Sequence, residues 1–120
     1  NAEFQMALFD RISEAEQLRM LEDLLATMDE LPQETARMLK AWNSGDAAEF
    51  RAIMDESDAK GAEAYKVIFS DRNATWAEWV DQRLDKPGTV FMAVGTGHLA
   101  GRHSVLQWLP TRGMASTRVS

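Results

Sequence analysis

The stretch Lys86-Pro87-Gly88-Thr89-Val90-Phe91-Met92-Ala93-Val94-Gly95-Thr96-Gly97-His98-Leu99-Ala100-Gly101 is where this chain changes character. Pro87 and Gly88 read as a turn. Thr89 to Val94 is a continuous β-prone run without polar alternation, the pattern of a strand covered on both faces. A glycine-rich loop follows, then a short helix holding Val105, Leu106, Trp108 and Leu109, which Gly113 ends. Met114 to Val119 alternates like a second strand. Strand, loop, helix and strand predict a βαβ unit over residues 87–120. Two strands alone do not make a stable sheet. Further strand is therefore expected, from a second copy or a missing N-terminal half rather than from the chain's own start.

Upstream, residues 1–86 read as helical throughout. Phe4, Leu8 and Phe9 form a short apolar stripe, with a break at Asp10–Ser13. Ser13 and Glu16 have the spacing of a reciprocal capping box. Leu18, Leu21, Leu24, Leu25, Met28 and Leu31 then recur at three- and four-residue intervals, as on one helix face. Pro32 suits the first turn of the next helix, in which Ala36, Leu39 and Trp42 are expected to face inward. Gly45 supplies its stop. Asp46 with Glu49 repeats the capping logic for a helix carrying Phe50, Ile53 and Met54, which Gly61 closes. Tyr65, Ile68 and Phe69 lie on a further helical stretch, and Trp76, Trp79, Val80 and Leu84 on another. Short connections favour antiparallel stacking of these helices. The expected fold class is α/β or α+β, predominantly helical, in one domain over 1–120.

Composition narrows the function. The 120 residues carry a net charge of −6, with 14 acidic and 6 basic side chains in 1–60 against 5 and 7 in 61–120. Without a basic stripe to neutralise phosphates, nucleic acid is disfavoured, and so are anionic membrane surfaces. No apolar run approaches the ~18 residues that cross a bilayer. The absence of cysteine removes disulfides, thiolate metal sites and thiol nucleophiles. No signal peptide is visible. The chain starts at Asn1, already in a helical pattern, and reads as trimmed or incomplete, which leaves the compartment open.

A glycine loop between strand and helix is where α/β proteins place chemistry, because glycine permits positive φ and close approach of a ligand. Gly95-x-Gly97-x-x-Ala100 satisfies the letter of a dinucleotide fingerprint. That reading fails, because the next strand ends Thr117-Arg118-Val119-Ser120 and offers no acid for a ribose. Taken singly, the candidate residues have structural readings. His98 would hydrogen-bond within its loop, His103 would be solvated, Asn73 would start a helix, and Arg72 would be a surface charge. Trp76 and Trp79 cannot meet as i, i+4 partners, which suggests an interface for one of them. The methionines fill gaps, and Asp55, Glu56 and Asp58 form a solvated acidic face.

Gly88 to Gly101 closely resembles the C-terminal block of TraB/GumN proteins, which usually reads GTVFVAVGAGHL before a helix and an RG turn. Asp71-Arg72-Asn73 with Trp76 is similar to that family's "RN" segment. Ala2 to Asp10, Leu31-Pro32 and Trp42 to Asp46 also fit, so the resemblance covers nearly the whole chain. The family's Tiki branch implies a metal-dependent protease with two separated GxxH motifs, an acidic residue and an asparagine, preferring cobalt- or manganese-like ions. Here only the second motif, Gly95-Thr96-Gly97-His98, is present. By resemblance, His98 is the metal ligand, Asn73 and Arg72 are catalytic, and Gly95 and Gly97 bind the cofactor. A divalent manganese, cobalt or zinc ion is implied, with a peptide substrate. One histidine does not make a catalytic site that needs three or more ligands. The isolated chain is therefore expected to be inactive, unless a missing N-terminal half, or a second copy contributing its own GxxH, completes it. The rival expectation is a non-catalytic helical binding or assembly module. Relatives are often extracytoplasmic or membrane-associated, but nothing in this chain fixes its location.

Overall fold

The computed structural model describes residues 2–119, apart from the side chains of Ala2 and Ala62. Its helices are α1 (Ala2–Phe9), α2 (Glu14–Ala26), α3 (Leu31–Ser44), α4 (Ala47–Lys60), α5 (Ala62–Tyr65), α6 (Asp71–Leu84) and α7 (Val105–Trp108). Short 3-10 turns lie at Met28–Glu30, Thr96–His98 and Pro110–Arg112, and a π-helical turn at Lys66–Ser70 joins α5 to α6.

Boundaries follow local chemistry. Ser13 Oγ accepts from the Glu16 amide at 3.3 Å, as the capping spacing predicts. The reciprocal half of that box is absent. Glu63, fifty residues on, takes the Ser13 amide at 2.7 Å, while Glu16 turns to Arg19 with two contacts of 2.8 Å. A distant carboxylate thus replaces the local one and ties α2 to α5. Asp46 Oδ1 accepts from the amides of Ala48 and Glu49 at 3.1 and 3.0 Å, opening α4. Gly45, at φ +67°, ends α3 in the left-handed conformation that side chains resist.

Two apolar clusters hold the fold. Leu8 and Ile12 pack on Ala64, Val67 and Ile68, fixing α1 to the α5–α6 run. Ala41, Phe50 and Ile53 join α3 to α4 and receive Ala100 from the loop after His98. The inward positions expected of α4 are buried. Those expected of α2 and α3 are not: Leu21, Leu24, Leu25 and Met28 are 48–60% exposed, and Ala36, Leu39 and Trp42 also face solvent. Helical spacing defines an apolar stripe there, which on α2 holds no buried residue, while on α3 Trp42 reaches only the edge of Phe50.

The predicted βαβ unit is not formed. Residues 89–95 and 114–119 have no strand pairing, and Phe91 is 92% exposed where cover on both faces was expected. Ser120, the end of that unit, lies outside the described residues. The physical reason is pairing: neither segment lies beside a strand among the described residues, although the connection through α7 is long enough for a crossover. A β-prone sequence without a ladder partner stays irregular.

Candidate functional site

The site forms where the loop after Val94 meets the first turns of α6. Asn73 lies inside α6 rather than capping it, and it is completely buried. Its Nδ2 donates to the His103 carbonyl at 2.7 Å, and its Oδ1 stands 2.7 Å from His98 Nδ1. A carbonyl can only accept, so the amide nitrogen must face His103 and the amide oxygen must face His98. Nδ1 is therefore the protonated nitrogen of His98, and Nε2 carries a free lone pair. No described residue hydrogen-bonds Nε2.

The imidazole, 9% exposed, sits between the rings of Trp76 and Phe69, with centroids at 4.6 and 5.0 Å. The π-helical turn at Lys66–Ser70 carries Phe69 on this wall; such turns often occur at functional sites. Burial first, and the Arg72 guanidinium second, hold the His98 pKa below its ordinary value. At neutral pH the ring is thus uncharged, able to accept a proton or give its lone pair to an ion. It is not an acid.

Arg72 stacks over Trp76, 4.9 Å from the ring centroid, and donates to the Ile68 carbonyl at 3.1 Å. Among the described residues it has no carboxylate partner. His98, Arg72, Trp76, Trp79 and residues 92–95 line an open cleft of about 520 Å³. Both tryptophans reach it, since residues three apart on a helix are neighbours. The structure therefore brings His98, Asn73 and Arg72 together.

The two glycines behave differently from expectation. Neither Gly95 nor Gly97 adopts positive φ. A Cβ on Gly95 would meet nothing, while one on Gly97 would lie 3.1 Å from Phe69. The conformationally demanding glycine is Gly101, at φ +86°, where a Cβ would come within 2.9 Å of Met54 Cβ.

The scaffold behind the loop also differs. His103 is half-buried, and its carbonyl anchors Asn73, so it is more than a solvated residue. Asp55 accepts from the Arg102 amide at 2.7 Å, and Asp58 pairs with the Arg102 guanidinium at 3.1 Å. Glu56 holds Arg37. The acidic trio is a set of clamps rather than a solvated face. Their helical spacing next to the buried Met54 is the signal that could have shown this.

Among the described residues no three His, Asp or Glu side chains gather as a metal site, and no helix is long and apolar enough to cross a membrane. No curated protein and no experimental structure matches the chain. The family model described as TraB/PrgY/gumN matches residues 1–118. The chain belongs to the TraB/PrgY/gumN family.

Proposed function

We propose that this chain is one side of a metal-dependent hydrolase centre, inactive in isolation, with His98 as its nitrogen donor. Asn73 positions that donor, and Arg72 faces the anionic part of the substrate. One observation supports this reading: a buried asparagine fixes the imidazole in the Nδ1–H form and leaves Nε2 free at a cleft. Ligating histidines are commonly oriented by such a partner on the other ring nitrogen.

The residues present fit one ligand position and no more. A catalytic divalent ion, whether manganese, cobalt or zinc, normally has three or more protein ligands, and among the described residues no carboxylate pairs with Nε2. Metal-assisted attack of water on a peptide carbonyl, the chemistry that the resemblance implies, needs donors from another polypeptide segment or a second copy. No step is assigned to this chain alone. Gly95 contributes backbone at the cleft wall, and Gly97 packs against Phe69 and Met54; neither offers a ligand.

Imidazole ¹⁵N NMR with cobalt or zinc titration tests the reading. His98 should show protonated Nδ1, and its Nε2 resonance should respond to the ions before His103 does. An Nε2–H tautomer, or equal response at both histidines, would overturn it. The second reading, a non-catalytic helical binding or assembly module, is favoured by the uncovered leucine stripe of α2. It expects no selective response at His98.

A further inference from the structure

The Asn73 amide can fill its space in two orientations, and they give His98 opposite tautomers. With its oxygen toward the ring, as here, Nδ1 carries the proton and Nε2 keeps its lone pair. With its nitrogen toward the ring, Nδ1 must accept, and the proton sits on Nε2. A neutral imidazole permits either arrangement. The choice therefore falls to the group on the far side of Asn73. That group is the His103 carbonyl, which accepts from Nδ2 at 2.7 Å and would confront an oxygen if the amide were reversed.

The carbonyl belongs to a turn over residues 101–104, closed by the Ser104 amide on the Gly101 carbonyl at 3.2 Å. Two half-buried acids of α4 hold this turn. Asp55 Oδ1 accepts from the Arg102 amide at 2.7 Å, and the Asp55 carbonyl accepts from the Arg102 guanidinium at 3.2 Å. Asp58 Oδ2 stands 3.1 Å from Arg102 Nε and 3.5 Å from His103 Nε2. Met54, beside Asp55, backs the same loop, since a Cβ on Gly97 or Gly101 would meet it within 3.3 or 2.9 Å. We infer that Asp55 and Asp58 are positioning residues for His98. They fix the turn, the turn aims the His103 carbonyl, and the carbonyl selects the Asn73 orientation that leaves Nε2 free. The inference rests on the reading of His98 as a nitrogen donor, and it extends that reading to side chains that do not line the cleft.

Imidazole ¹⁵N spectra at mildly alkaline pH, where histidine is neutral, read the tautomer directly. Asp55→Ala should lower the ratio of the Nδ1–H to the Nε2–H form of His98 at least about tenfold, the worth of one charge-assisted hydrogen bond. Asp55→Asn keeps an oxygen that can accept from the Arg102 amide, and should restore most of the ratio. Asp58→Asn, which removes only the ionic contacts, should lower it roughly threefold, and it carries the test if Asp55→Ala does not fold. Glu56→Ala breaks the Arg37 pair on the same helix without touching the turn, and should leave the tautomer unchanged. A wild-type pattern in the folded Asp55 and Asp58 variants refutes the inference, and so does an equal change in Glu56→Ala, which would reduce the acids to general support of α4. The donor reading fails separately. A His98 that ignores added zinc or cobalt, with its tautomer still governed by Asp55, removes the metal and leaves the positioning intact.

Discussion

The loop around His98 and the arm formed by α2 and α3 are both apolar stretches of ordinary composition, yet the fold treats them oppositely. Around His98 a buried polar network sets the geometry: Asn73 bridges the imidazole and the His103 carbonyl, and Asp55 and Asp58 lock Arg102 behind the loop. On the arm, Leu21, Leu24, Leu25 and Met28 repeat with helical spacing and lie open to solvent. Periodicity therefore establishes a helix without establishing its cover. A buried polar network establishes a unique local geometry, because each unmet group is costly.

The sharpest way to break this contrast is at Gly101. Alanine there must adopt positive φ, costing about 1–2 kcal/mol, and must force a Cβ toward Met54, which adds about 1–3 kcal/mol. Urea unfolding of Gly101→Ala should show a loss on the order of 3 kcal/mol, and a loss below about 1 kcal/mol would mean that the loop is not rigidly seated.

Asn73→Ala should follow. It strands the His103 carbonyl and the His98 Nδ1–H, each left at a penalty of about 1–3 kcal/mol. The same substitution should release the tautomer, visible as a change in the His98 ¹⁵N pattern. A stability loss with the tautomer unchanged would deny Asn73 its positioning role. At the α2 cap, Ser13→Ala should cost about 1 kcal/mol, since Glu63 still holds the Ser13 amide.

Acidification probes the same network through its titration. The folded His98 pKa is depressed, so protons bind the unfolded chain more readily. Its contribution is fully present above the ordinary histidine value and is lost as pH falls through the depressed folded one. The wild-type protein should therefore lose stability as pH drops below the ordinary histidine range, and His98→Gln should flatten that slope. An identical slope in the variant would assign the effect to other groups.

How much of this was legible beforehand divides along the same line. Caps at Ser13 and Asp46 and the stop at Gly45 are readable because their chemistry is local. The Glu63 contact to Ser13 is not, because it spans fifty residues. Thr89 to Val94 carries strand propensity, but propensity cannot supply a ladder partner, so the βαβ expectation failed. Resemblance drew attention to His98, Asn73 and Arg72. Only coordinates give the direction of the Asn73 amide and hence the free Nε2. Gly95 and Gly97 drew attention because they flank the histidine, whereas the glycine under real constraint, Gly101, lay at the edge of the pattern.

The smallest expected effect tests the arm. Leu21→Gln replaces a side chain that is 52% exposed on a helix with no buried residue. A surface change of that kind should move stability by no more than about 0.5 kcal/mol. The same change in the core, at Ile53, should cost several times more, because burial of an aliphatic side chain contributes roughly 1.5–3 kcal/mol. If Leu21→Gln instead costs as much as a core substitution, and the cost depends on protein concentration, then α2 is covered in solution by a second chain. Dilution distinguishes the two cases, since a covering partner leaves by mass action and a solvated helix does not. A concentration-independent, near-zero effect would leave the leucine stripe as an open surface, with the ordered network around His98 as the part of the molecule whose geometry the chain specifies unaided.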